Sequence, residues 1–168
     1  MYKKNFGLIA FCGLISILFA NVSFAESEVD ECIAPGEEKL RKAIEVREKS
    51  QEELQNETID EETYEKRCNE AINQALSVFD RAIAANPENP DFHYQRGLAM
   101  VKWNKLDTDA HEYFDKAIEL NPFYVEAYYQ KGLLFREWRK IEEAIKQLDE
   151  VIFWKPDFGD AYFHRGSL

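Results

Sequence analysis

Three copies of one short phrase recur in the second half of the chain: Phe92-His93-Tyr94-Gln95-Arg96-Gly97, Ala127-Tyr128-Tyr129-Gln130-Lys131-Gly132 and Ala161-Tyr162-Phe163-His164-Arg165-Gly166. Their glycines stand 35 and 34 residues apart. A fixed period of this length is the signature of stacked helical units, each too small to bury its own apolar face. A second phrase follows each of the first two: Ala110 to Pro122, then Ala144 to Pro156, with a degraded relative from Ala75 to Pro87.

Within each unit the apolar residues step by three and four. Tyr128, Gly132 and Phe135 form one stripe, and Ile141, Ala144, Ile145, Leu148 and Ile152 form another, so two helices each have one face to bury. Gly97, Gly132 and Gly166 fall inside helices, where glycine costs about 1 kcal/mol against alanine, and that cost points to tight helix crossings. Asn86-Pro87, Asn121-Pro122 and Lys155-Pro156 stop helices, because proline excludes the α region for its predecessor. Asp107 or Thr108 is the expected N-cap of the helix beyond the second turn.

On these residues the chain resembles the tetratricopeptide repeat family, whose unit is two antiparallel helices of about 34 residues closed by proline. In the second copy the matches are Tyr128, Gly132, Phe135, Ala144, Leu148, Val151 and Pro156. In the first they are Gly97, Met100, Ala110, Phe114, Ala117 and Pro122, with His93 in place of the large aromatic and one extra residue in the turn around Asn104 to Asp107. The resemblance covers 88–168 and implies an all-α fold, a right-handed superhelical stack of antiparallel helix pairs. The expected organisation is a signal peptide over 1–25, an acidic helical cap over 26–59, a long helix and degenerate first repeat over 60–87, repeats over 88–122 and 123–156, and the first helix alone of a third over 157–168.

The front of the chain is of another kind. Lys3-Lys4 precede an uncharged run from Phe6 to Phe19, and Ser23-Phe24-Ala25 places small residues at −3 and −1 of a cleavage site. This reads as a secretory signal peptide cut after Ala25; the run is shorter than the roughly 20 residues that span a bilayer, which leaves a retained anchor as the alternative. Phe11 is too bulky for lipid attachment at Cys12. Cleavage leaves 143 residues and, by removing two lysines, moves the net charge from −11 to −13. Such a chain is unsuited to nucleic acid or anionic lipid. The expected location is a bacterial periplasm, with secretion or anchoring as alternatives. Asn56-Glu57-Thr58 would be an accessible glycosylation acceptor in a eukaryotic pathway.

In an oxidising compartment Cys32 and Cys68 would pair as a structural disulfide, or else remain two thiols. A bridge closing about 35 residues would contribute roughly 3 to 4 kcal/mol. Between them Glu37 to Gln55 reads as a helix with a thin stripe of Leu40, Ala43, Ile44 and Leu54, with a mobile acidic tail as the alternative for 26–36. A second helix, opened by a Thr58/Glu61 capping box, runs to Ala85 and buries Tyr64, Cys68, Ile72, Ala75, Leu76, Phe79 and Ile83. Together the two cap the array.

No catalytic motif is present: there is no serine elbow, no glycine-rich loop leading to a helix with lysine, and no histidine pair at i and i+4. The histidines His93, His111 and His164 are scattered, and the acidic pairs Glu61-Glu62 and Glu142-Glu143 are adjacent rather than convergent. Neither enzyme activity, cofactor nor metal is expected. The resemblance instead implies a concave groove lined by the first helices, holding a peptide or partner helix. Carried over by position, its residues are Tyr94, Gln95, Leu98 and Val101, then Tyr129, Gln130, Leu133 and Arg136, continued by Phe163 and His164. The alternative for Tyr94 and Tyr129 is packing against the neighbouring repeat. The groove positions that grip a C-terminal carboxylate in some members are not cationic here, although Lys102, Lys131, Arg136 and Arg139 lie nearby. The expected partner is a protein or peptide; the second expectation is a homo-oligomer formed through the last repeat, where Tyr162, Phe163, Leu168, Leu148 and Ile152 would leave apolar area exposed.

Overall fold

In the computed structural model seven helices follow one another among the described residues: α1 (Phe6–Gln55), α2 (Glu61–Ala85), α3 (Pro90–Trp103), α4 (Ala110–Leu120), α5 (Val125–Glu137), α6 (Ile141–Trp154) and α7 (Gly159–Gly166). The structure describes residues 31–168 apart from Lys105, Leu106 and Thr108, with only the helical backbone given over 6–30. The expected signal peptide therefore lies outside the described side chains. Among the described residues no helix is long and apolar enough to cross a membrane.

The helices pack as three antiparallel pairs, α1 with α2, α3 with α4 and α5 with α6; α2 then contacts α3, α4 contacts α5, and α6 contacts α7. This is an all-α solenoid. Its core is three linked clusters. Phe79 with Ile33, Leu40 and Ile72 fills the first, Phe114 with Met100 and Leu134 the second, and Leu148 with Val151 and Ala161 the third.

Two of the three repeat glycines do close crossings. A Cβ on Gly97 would stand 2.9 Å from Phe114, and one on Gly132 would stand 3.1 Å from Leu148. Gly166 meets nothing within 4 Å, as among the described residues no helix packs over it. A third crossing has no counterpart in the expected pattern: Gly36 of α1 sits against Phe79 of α2, where a Cβ would come within 2.5 Å of the ring.

That contact corrects the reading of 26–36 as a tail, over the part of it whose side chains are described. Helix α1 passes through Pro35, and Ile33 and Gly36 are buried against α2. One helical bond lost at proline costs less than exposing this apolar face. The cap of α2 is Asp60, which accepts from the Thr63 N–H at 2.8 Å, rather than Thr58. Thr58 instead donates its hydroxyl to the Glu53 carbonyl at 2.8 Å, closing the end of α1. Likewise α4 starts one residue beyond the expected caps, with Asp107 accepting from the Asp109 N–H at 3.0 Å ahead of it.

The Cys32–Cys68 bridge is not formed: both are free thiols, Cys32 exposed and Cys68 buried. The antiparallel register forbids it. Gly36 faces Phe79, and Glu53 pairs with Arg67 at 2.5 Å, so Cys68 lies level with the far end of α1. At 1.5 Å per residue Cys32 is about 30 Å from that level, whereas a disulfide needs Cα atoms within about 7 Å.

Candidate functional site

The side-by-side placement of α3 and α5, the first helices of two successive repeats, is set by contacts that themselves repeat. Asp80 accepts from Arg96 Nε at 2.8 Å, Asp115 accepts from Lys131, and Asp149 accepts from Arg165 Nη1 at 2.6 Å. Each ties a second helix to the first helix of the next unit. A second ladder is aromatic: Tyr94 packs on Tyr124 at 5.1 Å between ring centres, and Tyr129 packs on Phe158 at 4.9 Å. Tyr124 also donates its hydroxyl to Asp91 Oδ1 at 2.6 Å. Burial, with the Asp91 carboxylate beside it, pushes the Tyr124 phenol far up, so it remains a donor.

Between the C-terminal halves of α3 and α5 these contacts leave a groove of about 410 Å³, lined by Leu98, Val101 and Lys102 on one side and Gln130, Leu133, Leu134, Arg136 and Glu137 on the other. Leu98, Val101, Gln130, Leu133 and Arg136 are five of the residues expected there. Tyr94 and Tyr129 are not in the lining. They take the packing alternative, inside the ladder, and burial raises both phenols. Gln95 is half-buried beside the groove without lining it. Phe163 is 70% exposed on α7, and His164 reaches the groove only through Arg136, whose Nη1 donates to His164 Nδ1 at 2.5 Å.

Sequence reasoning missed Leu134 and Glu137 and gave Lys102 only a place nearby. Their signal was available, since all three fall in the last two turns of a first helix, one to two turns beyond Tyr94 and Tyr129. Polar control of the groove comes from few groups. Burial first and Glu126 second raise the Tyr94 phenol, and the neighbouring Gln130 side chain opposes that rise. Arg136 Nη2 donates to Glu137 at 2.9 Å. Burial first and Arg136 second hold the His164 imidazole below its ordinary value, so it accepts as the neutral ring. Among the described residues no cluster of His, Cys, Asp or Glu has the makings of a metal site.

Tetratricopeptide repeat family models match residues 70–125 and 113–146. Among solved structures the chain is similar to the first tetratricopeptide domain of Spaghetti (RPAP3), determined bound to the HSP90 peptide SRMEEVD. The TM-score is 0.54 at 22% identity, over 76% of this chain and 90% of that one. It is also similar to the tetratricopeptide domain of Arabidopsis OM64, with TM-score 0.54 at 17% identity over 77% and 95%. A third is YrrB, described as having an unusual peptide-binding site, with TM-score 0.51 at 20% identity over 90% of each chain. At these identities the likeness is one of fold. No curated protein sequence matches the chain.

Proposed function

Because residues 70–146 of this chain belong to the tetratricopeptide repeat family, we propose that it is a non-enzymatic interaction scaffold that holds a peptide or helix of another protein in the groove between α3 and α5. The observation that carries this reading is the groove itself, an apolar channel of about 410 Å³ between two rigid helices with Gln130, Lys102 and Arg136 at its edge. Grooves with an apolar floor and a few placed polar groups suit segments of other proteins. That two of the similar domains were solved with bound peptides supports the class of ligand.

The scaffold works outside the cytoplasm, in a bacterial envelope, and its partner is an envelope or secreted protein. Support comes from the Lys3-Lys4 pair, the uncharged run behind it and the small residues Ser23 and Ala25. The test is photo-crosslinking in cells from position 133, with a second probe at position 123 at the other end of α5. Adducts from 133 alone, to one dominant partner, are expected. Equal labelling from 123, where Phe123 is 63% exposed, would sink the groove assignment.

A second reading has its own observation. Tyr162 and Phe163 are 42% and 70% exposed on α7, and Gly166 stands open where Gly97 and Gly132 are covered. A second copy docking there would make a homo-oligomer, visible as a mass that rises with concentration and falls back on Phe163→Glu.

A further inference from the structure

The groove is not neutral in its demands. Its floor is aliphatic, from Leu98, Val101 and Leu133, while two cations, Lys102 and Arg136, stand at its edge within the same cavity. The first helices carry other cations that are already committed: Arg96 to Asp80, Lys131 to Asp115 and Arg165 to Asp149. Lys102 differs from these. It is exposed and makes no ion pair among the described residues. Arg136 is half-occupied, sharing Nη2 with Glu137, an exposed neighbour in sequence, and Nη1 with His164.

From this charge arrangement we infer that the groove takes a segment in which an aliphatic side chain stands beside a carboxylate. The inference rests on the groove reading above and adds the chemistry of the partner. The aliphatic group seats on Leu98, Val101 and Leu133, and the carboxylate accepts from Lys102 and from Arg136, displacing Glu137 from the guanidinium. Glu137 is the one acid in the lining, so the lining carries two positive charges against one negative. That excess is local and opposes a chain whose net charge is −11. A carboxylate in contact with these two side chains gains a charge-assisted bond, while one elsewhere on the surface meets repulsion. A basic segment would gain the long-range attraction but place its charge against Lys102.

Selection from a random peptide display library on the full chain tests this directly. The expected result is enrichment of Asp or Glu next to Leu, Ile or Val. Exchanging that acid for its amide should weaken binding roughly tenfold, and so should Lys102→Glu in the protein. Lys102 is exposed, so its substitution leaves the packing intact, and an unchanged circular dichroism spectrum confirms it. Enriched peptides that are basic or uncharged, and that Leu133→Glu still abolishes, would overturn the carboxylate inference and leave the groove standing. Peptides that bind Leu98→Glu and Leu133→Glu as well as the parent chain would overturn the groove reading itself.

Discussion

The elongated hairpin α1/α2 and the compact pairs α3/α4 and α5/α6 close on the same contact at different distances along the chain. Gly36 meets Phe79, Gly97 meets Phe114 and Gly132 meets Leu148. Phe79, Phe114 and Leu148 are themselves 35 and 34 residues apart, so α2 keeps the period of the array. What differs is the length from glycine to partner: 43 residues in the first pair against 17 and 16 in the others. The excess is shared between both arms of the hairpin, which run roughly 28 Å past the crossing before turning, about 20 Å further than in the short pairs. The first hairpin is thus a repeat with lengthened arms, and the crossing, rather than the length, defines the unit. The arms are used. Arg47 donates to the Trp103 carbonyl at 2.5 Å and its guanidinium lies 4.7 Å from that indole ring, so α1 closes the end of α3 next to the groove.

If the two regions share one architecture, deleting their central rings should be equally damaging. Phe79 and Phe114 are 1% and 0% exposed. Phe79→Ala and Phe114→Ala should each cost about 3–5 kcal/mol in urea unfolding, with a single transition in both. A separate early transition confined to Phe79→Ala would mean that the hairpin folds on its own and is only an appendage.

Smaller effects grade the crossings. Alanine at Gly36 or Gly97 must push against an aromatic ring at less than 3.0 Å. Each should cost about 1–2 kcal/mol after the gain of about 1 kcal/mol in helix propensity. Gly132→Ala, facing the branched end of Leu148, should cost less, and Gly166→Ala should cost nothing. Thermal melts of the four variants rank them, and a harmless Gly36→Ala would remove the first hairpin from the series.

The ionic ladder comes next. Asp80→Asn and Asp115→Asn cut pairs whose cations, Arg96 and Lys131, are 13% and 15% exposed, and each should cost up to about 1 kcal/mol. Asp149→Asn, opposite an Arg165 that is 39% exposed, should cost less. The smallest effect separates the two ends by pH. His164 is held below its ordinary value of 6.5, so the unfolded chain takes up the proton first as pH falls. Stability at this end is therefore intact above about pH 6.5 and drains away as the pH drops through the lowered folded value. Amide exchange in α7 should quicken over that range while α1 and α2 do not respond, and His164→Gln should flatten the response.

How much of this the sequence displays follows from the period. The array, its helix stops and the glycine crossings at 97 and 132 are legible because neighbours repeat at fixed spacing. Gly36 is not legible, because its partner lies 43 residues on and Pro35 beside it reads as a helix start. In the groove Leu98, Val101, Gln130, Leu133 and Arg136 follow from position alone. Tyr94 and Tyr129 do not, because a large ring at such a position can face the cleft or the next repeat, and only the placement of Tyr124 and Phe158 decides. The ladder from Asp80 to Arg165 is written in the repeated phrases, but no single unit shows that its aspartate reaches the next unit's cation. Pairing the cysteines failed for the same reason that Gly36 was missed: hairpin register depends on the turn at 56–60, and that position is invisible in a count of cysteines.

The central claim is that the cleft between α3 and α5 is the working surface. Its most direct test is a methyl-labelled chain titrated with a short peptide carrying leucine beside aspartate, followed by NMR. The account predicts that the methyls of Leu98, Val101 and Leu133 shift together and saturably, while Leu168 beside α7 and Val46 on α1 stay in place. Shifts centred on Leu168, or spread evenly over the array, would contradict it.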